Sequence, residues 1–138
     1  METIQLRAAI YGHAVGDALG LPVQFKPRDS FHITSMTGYG TFNMPPGSWS
    51  DDTSLTIATC DSIRENGGLV NPADIFKRFE DWYHHNLYTP TKVAYDIGWT
   101  TSRAIEAKHG ESGFHSNGNG SLMRILPLAF TSANDELI

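Results

Sequence analysis

The chain has 138 residues, the size of one ordinary domain; 40% of them are hydrophobic and 11% aromatic, which is enough for a packed core and argues against disorder. Fifteen acidic and ten basic residues give a formal net charge of −5, so the composition offers no reason to expect nucleic-acid binding. No apolar run approaches the ~20 residues that span a bilayer, and the single cysteine, Cys60, cannot form an internal disulfide, so the expected location is a reducing cytoplasm.

The first part of the chain is predicted to be one helix followed by a long irregular segment. Apolar residues recur at spacings of three and four over residues 3–19, which is typical of a helix. Three glycines share one face of this helix: Gly12, Gly16 and Gly20. Each interior glycine destabilises a helix by roughly 1 kcal/mol relative to alanine, so their presence indicates a close approach by another backbone or a ligand, or a tight helix crossing. Residues 21–49 are rich in Pro and Gly, with a short strand or turn possible near residues 23–25.

Four further helices are predicted after this segment. Helical spacing covers residues 51–66, and Asn71 with Pro72 is typical of the start of the next helix, which ends near residue 86. A fourth helix is predicted over residues 91–108, and a last one begins near Ser121 after a polar, glycine-rich loop. Five helices without an alternating strand predict an all-α, multi-helix fold.

The stretch Ser50-Asp51-Asp52-Thr53 places two carboxylates side by side at the predicted start of a helix. Ser50 is a good N-cap, and acidic residues in the first turn complement the helix dipole by about 0.3–1 kcal/mol each. The same oxygens suit a hard cation such as Mg²⁺, because the N-cap residue is not yet helical and its side chain can point into the same space as the carboxylates. Capping and cation binding therefore both remain open.

The segment SNGNGSLMR, residues 116–124, is the second candidate for ligand contact. Gly118 and Gly120 allow a backbone to approach a ligand closely, and the free N–H groups of a following helix favour an anion. The segment fits neither of the two common glycine-rich phosphate motifs, so a turn followed by a cap is the alternative. A third segment, GHAVGDALGLPVQF, carries Asp17, which on its own is typical of a solvated or capping carboxylate.

Three segments occur in one order along the chain: GHAVGDALGLPVQF, GSWSDDTSLTIATCDSI and SNGNGSLMRILPLAF. Together they resemble the ADP-ribosylglycohydrolase family, which includes the dinitrogenase reductase-activating glycohydrolases, over about residues 7–130. The resemblance implies an all-α fold and the hydrolysis of ADP-ribose conjugates at the anomeric carbon of the distal ribose. The implied partner is an ADP-ribosylated protein or a small ADP-ribose conjugate, with neither nucleic acid nor membrane involved.

The same resemblance implies a site that holds two Mg²⁺ ions. The Ser/Thr-Asp-Asp segment of the family corresponds here to Ser50, Asp51 and Asp52 as metal ligands, and the two aspartates are also assigned to catalysis. The ADP-ribose-contacting residues implied by the resemblance are Ser116, Asn117, Gly118, Asn119 and Gly120, together with Asp17.

This sequence departs from the family pattern at two places. Gln24 stands where members often carry a catalytic Glu, and a neutral amide cannot accept a proton as a carboxylate can. The remaining metal ligands of the family come from an Asp-x-Asp-Ser/Thr segment that this chain lacks, since its last acidic pair is Asp135-Glu136. We therefore expect residues 1–138 to be the N-terminal part of one longer domain and to be inactive alone.

Two other functions stay open at this point. The chain is a non-catalytic ADP-ribose-binding or structural relative if Gln24 marks a lost activity. It is a metal-free helical interaction module if Ser50, Asp51 and Asp52 only cap a helix. The linkage of the ADP-ribose substrate and the oligomeric state do not follow from the sequence.

Overall fold

A computed structural model describes residues 3–131, which fold into four α-helices joined by loops that contain short 3-10 helices. The α-helices are α1 (Thr3–Gly20), α2 (Asp51–Glu65), α3 (Pro72–His85) and α4 (Trp99–Ala107). The 3-10 helices are Leu21–Val23, Gly40–Phe42, Asn119–Ser121 and Leu126–Phe130. Within residues 3–131 no strand forms, and the only sheet-like pairing is an isolated bridge between Tyr39 and Met44. The predicted all-α fold is confirmed.

None of the helices described by the structure is both long enough and apolar enough to cross a bilayer.

The core lies where α3 packs against α2 and α4. Its buried members are Leu55, Ala58, Phe79, Trp82 and Ile105. Burying one such large apolar side chain stabilises the fold by about 1.5–3 kcal/mol, and these contacts place α2 at the centre of the molecule. The N-terminus of α2 is thereby held in a fixed position.

Three buried hydroxyl side chains on α2 form hydrogen bonds within the helix. The hydroxyls of Ser54, Thr56 and Thr59 donate to the carbonyl four residues earlier, each at 2.8 Å. Because a buried polar group costs free energy only when it lacks a partner, these residues allow α2 to be enclosed on most sides at little cost.

The predicted start of α3 is confirmed, and α3 is joined to α2 by charge. The Asn71 side chain accepts a hydrogen bond from the Asp74 backbone N–H at 3.2 Å, and Pro72 opens the helix. The Arg78 guanidinium pairs with Asp61 on α2 and, at 2.8 Å, with Asp74 on its own helix. The bridge to Asp61 is a cross-link that sequence spacing does not reveal.

The last two predicted helices differ from the observed elements. The fourth helix begins at Trp99 rather than residue 91, because Gly98 before it has extended backbone, with φ −65° and ψ 143°. No α-helix starts near Ser121; the described chain forms two 3-10 helices there, the second with Pro127 in its first turn. Of the two possibilities near residues 23–25, the turn is observed: the 3-10 helix Leu21–Val23 leads into a turn at residues 24 and 25.

The glycines of α1 do not have the predicted close neighbours among residues 3–131. A methyl group added at Gly12, Gly16 or Gly20 would meet no atom within 4 Å beyond its own helix backbone. Only the C-terminal end of α1 is deeply buried, through Ala18 and the adjoining Leu21. That end carries Asp17 towards the start of α2.

Candidate active site

The start of α2 has the predicted N-cap. Ser50 has extended backbone, and its Oγ accepts a hydrogen bond from the Asp52 backbone N–H at 3.3 Å. Ser50 and Asp51 are buried, with 2% and 4% of their surface exposed. The capping interpretation is confirmed, and the burial places two potential ligand groups away from bulk water.

Asp17 of α1 also caps α2. Its carboxylate accepts hydrogen bonds from the Ser50 N–H at 2.9 Å and the Ser50 hydroxyl at 2.8 Å. It accepts two more from the N–H and the hydroxyl of Thr53, at 3.1 and 2.6 Å. A carboxylate that accepts backbone N–H groups at a helix N-terminus is stabilised by both the hydrogen bonds and the helix dipole. These contacts assign Asp17 to positioning Ser50; its predicted contact with substrate stays a prediction.

Asp51 is a buried carboxyl group among other carboxyl groups. Burial, and to a lesser degree the neighbouring charges of Asp96, Asp52 and Asp17, together raise its pKa to about 8. The metal-free protein therefore holds Asp51 mostly protonated at pH 7, although the unperturbed group would be ionised. A cation in contact with this group would reverse the effect, because it favours the ionised form.

A cavity of about 470 Å³ opens next to these carboxyl groups. Six of the residues that the resemblance assigned to the site line it: Gln24, Asp51, Asp52, Gly118, Asn119 and Gly120. The structure thus brings three segments together that lie far apart in the sequence. Ser50 is buried next to Asp52, and their side-chain oxygens lie 3.2 Å apart. The cavity lining includes neither Ser116 nor Asn117.

Asp96 is a further carboxylate of this cavity, and no motif in the sequence indicates it. The net effect of its surroundings raises its pKa to about 6: burial contributes most, a hydrogen bond from Gln24 acts in the opposite direction, and the charges of Asp52 and Asp17 add to the rise. Its Oδ2 atom is buried without a hydrogen-bond partner among the residues described. The signal that could have found it is Gly98, which breaks the predicted helix and leaves Asp96 in the loop that precedes α4.

The loop that contains Gly118 and Gly120 rests against the first turn of α4. A methyl group added at Gly120 would lie 2.5 Å from Thr101 Oγ1, whereas one added at Gly118 would lie 3.5 Å from Thr100 Oγ1. Asn117 turns away from the cavity lining and donates from Nδ2 to the Phe114 carbonyl at 2.7 Å. The packing therefore requires glycine at position 120 more strictly than at position 118.

We expect Gly120→Ala to lower the free energy of unfolding by about 1–3 kcal/mol, because the new methyl group overlaps the buried Thr101 side chain. The matched control is Gly118→Ala, whose methyl group would be at ordinary contact distance and whose backbone φ of −64° suits alanine. Urea unfolding of the two variants measures the difference. Equal stability in both would contradict the observed packing.

The donor atoms at the start of α2 have the chemistry that Mg²⁺ requires. Ser50, Asp51 and Asp52 offer hard oxygen atoms, which this ion prefers. Across residues 3–131, however, no three side chains of His, Cys, Asp or Glu are placed to hold one metal ion together. The donor types therefore fit Mg²⁺, while the described part of the chain supplies only some of the ligands for an octahedral shell.

The fold and the site define a class of protein: an all-helical domain in which clustered carboxylates lie next to an Asn-Gly loop. The family model for ADP-ribosylglycohydrolase matches residues 3–138, and the chain belongs to this family. It is 36% identical over 129 residues to the ADP-ribosylarginine hydrolase Tri1 of Serratia proteamaculans and 32% identical over 138 residues to the ADP-ribosyl-(dinitrogen reductase) glycohydrolase of Rhodospirillum rubrum.

These relatives are considerably longer than the chain. The match covers 88% of this chain and 35% of the Serratia protein, and 90% of this chain and 43% of the Rhodospirillum protein. A solved structure, titled as an ADP-ribosylglycohydrolase-related protein complex, matches with a TM-score of 0.69 and 33% identity, over 90% of this chain and 41% of that one. The chain therefore spans roughly two fifths of the proteins that it resembles.

Proposed function

We propose that this chain carries one part of the active site of a Mg²⁺-dependent hydrolase that removes ADP-ribose from arginine. The observation that carries the proposal is the cavity in which Asp51, Asp52 and Asp96 lie together beside the loop of Gly118 and Gly120. Cleavage of a glycosidic bond develops positive charge on the sugar, and fixed carboxylates stabilise that charge. Membership of the ADP-ribosylglycohydrolase family supports ADP-ribose as the sugar donor.

The charge of the cavity supports arginine as the acceptor. Its lining residues include neither Lys nor Arg, and besides the proposed metal ligands Asp51 and Asp52 they include a third aspartate, Asp96. Among common ADP-ribose conjugates, the arginine conjugate brings a cationic guanidinium, which such a cavity attracts. The Serratia and Pseudomonas putida relatives are named ADP-ribosylarginine hydrolases, in agreement with this assignment. The anionic diphosphate would lie away from the aspartates, towards the glycine loop.

The residues proposed to hold the metal are Ser50, Asp51 and Asp52, with Asp17 fixing the Ser50 hydroxyl at 2.8 Å. Bound Mg²⁺ would orient the ribose hydroxyls and activate water. The further ligands would come from the part of the family's domain that this chain does not span, so residues 1–138 form one portion of a single domain in this proposal.

Asp96 is proposed to accept the proton of the attacking water. Its carboxyl group lines the cavity, and its pKa of about 6 lies close to the pH at which a general base works best. Water would add to the anomeric carbon while the bond to the guanidine nitrogen breaks and its electron pair stays on that nitrogen; the proton taken up by Asp96 would then pass to the neutral guanidine, which leaves as guanidinium. Gln24 cannot serve as this base, but its amide favours the ionised form of Asp96.

The test uses a fusion of this chain with the part of the Serratia relative that the match does not cover. We call this fusion the complete enzyme. We expect hydrolysis of ADP-ribosylarginine in the presence of Mg²⁺, a loss of at least about a hundredfold with a chelator, and recovery when Mg²⁺ is restored. Chromatographic detection of released ADP-ribose measures the rate. Undiminished hydrolysis in the chelator would contradict the proposed metal dependence.

For the 138-residue chain alone we expect weak Mg²⁺ binding, with a dissociation constant above about 1 mM, because the described residues supply an incomplete shell. Isothermal titration calorimetry measures the affinity, with the complete enzyme as the comparison. A tight site in the chain alone would show that its own residues are sufficient.

The second candidate is an ADP-ribose-binding relative without catalysis. The observation that favours it is the neutral Gln24 in the cavity lining, where the family resemblance leads one to expect a carboxylate. The same assay separates the two functions. Tight binding of ADP-ribose with no hydrolysis of any conjugate would support the binding protein, whereas turnover in Mg²⁺ supports the enzyme.

We also propose that the protein works in the cytoplasm, because a lone free thiol suits a reducing compartment. Its single cysteine, Cys60, has its pKa raised to about 11, chiefly by burial. A thiol that stays protonated is a poor nucleophile and resists oxidation. This agrees with a structural role for Cys60 in α2.

A further inference from the structure

Phe25 is an exposed aromatic residue at the edge of the carboxylate-lined cavity. It is 80% exposed, although a phenylalanine side chain normally gains about 1.5–3 kcal/mol by burial. Its backbone φ is +65°, in the left-handed region that bulky residues rarely adopt because of steric strain. Burial among residues 3–131 does not account for this conformation, and strained residues that line a cavity are commonly functional.

The surrounding chain supports Phe25 on one side. The Thr41 hydroxyl donates to the carbonyl of the preceding Gln24 at 2.7 Å, which holds the turn. The Phe42 ring lies with its centroid 6.1 Å from that of Phe25, and the Tyr95 ring lies 5.6 Å from that of Phe42. This row of three rings fixes the position of Phe25 while its exposed surface lines the cavity.

A second aromatic residue of the same cavity already binds a guanidinium. Trp99 is 60% exposed, and the guanidinium carbon of Arg103 lies 4.7 Å from the centre of its ring. Within residues 3–131 no Lys or Arg lies over the ring of Phe25. The Phe25 ring is therefore available to an incoming cation, in the same cavity as Asp96, which is not one of the proposed metal ligands.

We propose that Phe25 is a specificity-determining residue whose ring receives the guanidinium of ADP-ribosylarginine in a cation–π contact. The inference rests on the proposed function and adds how this site would distinguish its acceptor. A serine conjugate has no cation and gains nothing from the ring, whereas the arginine conjugate gains both the ring and the carboxylates. Free ADP-ribose, the product, lacks the guanidinium and gains nothing from Phe25.

The experiment compares Phe25→Leu and Phe25→Trp with the unaltered complete enzyme. Leucine keeps an apolar side chain but removes the aromatic face, and tryptophan keeps a face that binds cations well. We expect Phe25→Leu to lower kcat/KM for ADP-ribosylarginine about five- to twentyfold, mainly through KM, and Phe25→Trp to retain it. The inhibition constant of ADP-ribose, measured in the same assay, should change less than about twofold in either variant.

A guanidinium probe provides an independent measurement. Agmatine should inhibit the unaltered enzyme, and its inhibition constant should weaken in Phe25→Leu by the same factor as the arginine substrate. An equal loss of affinity for ADP-ribose and for ADP-ribosylarginine would overturn the inference, because the ring would then contact the nucleotide. Unchanged kinetics in Phe25→Leu would overturn it as well. If the unaltered enzyme binds no ADP-ribose, the proposed function fails and the role of Phe25 fails with it.

Discussion

Replacing Asp51 with Asn is expected to make the metal-free protein more stable and the complete enzyme inactive. Asp51 is 4% exposed, and the cost of charging it in that setting raises its pKa from 3.8 to about 8. Asparagine has nearly the same shape and cannot ionise, so the variant avoids this cost. It also loses a proposed metal ligand, and we expect hydrolysis to fall by at least about 10²-fold.

The direction of the stability effect follows from where the proton is bound. Between pH 4 and pH 8 the folded metal-free protein keeps a proton on Asp51 that the unfolded chain has released. The free energy of unfolding therefore falls as pH rises, and Asp51 contributes about 1.4 kcal/mol per pH unit to this fall. The stabilising contribution that Asp51 makes in acid is lost once the pH passes about 8. Asp51→Asn should flatten this decline.

Urea unfolding of the 138-residue chain at several pH values, with a chelator present, measures the effect. The matched control is Asp81→Asn on α3, since Asp81 pairs with the exposed Lys77 and such pairs contribute about 0–1 kcal/mol. We expect the Asp51 variant to gain stability over the unaltered chain at pH 8 and the control to stay close to it. A loss of stability at pH 8 in Asp51→Asn would show that the charged form is the one the fold prefers.

Much of the fold was predictable because its signals are local. The spacing of apolar residues placed α1, α2 and α3 close to their observed bounds, and Ser50 and Asn71 were identified as N-caps. Each cap involves a residue and a backbone N–H two or three positions away, so a short window of sequence contains all the information.

The parts of the site that could not be predicted depend on distant contacts. The hydrogen bonds from Ser50 and Thr53 to Asp17 join residues 33 and 36 positions apart, so no local sequence pattern predicts them. Asp96 was missed because the predicted fourth helix ran through it, although Gly98 marks the true helix start. Phe25 was missed because exposure and a positive φ are properties of the folded backbone.

Replacing Asp96 with Asn should separate binding from chemistry in the complete enzyme. The variant keeps a side chain of the same shape in the cavity but cannot accept a proton, so we expect kcat to fall about 10²- to 10⁴-fold while affinity for ADP-ribose is retained. Stopped assays over a range of pH provide the rate. A kcat within about threefold of the unaltered enzyme would show that another group accepts the proton.

The pH profile distinguishes a proton acceptor from a residue that only shapes the cavity. Asp96 must be ionised to act, so kcat of the unaltered enzyme should decline as pH falls through the pKa of this group, which is raised to about 6 in the metal-free protein. Gln24→Leu is the informative companion variant: the Gln24 amide lowers the pKa of Asp96, so removing it should move this decline to higher pH. Asp51 and Asp52 interact with Asp96, so the midpoint of the pH profile is a property of the three coupled carboxyl groups. A shift of this midpoint to higher pH in Gln24→Leu would identify Asp96 as the carboxyl group whose ionisation limits the rate.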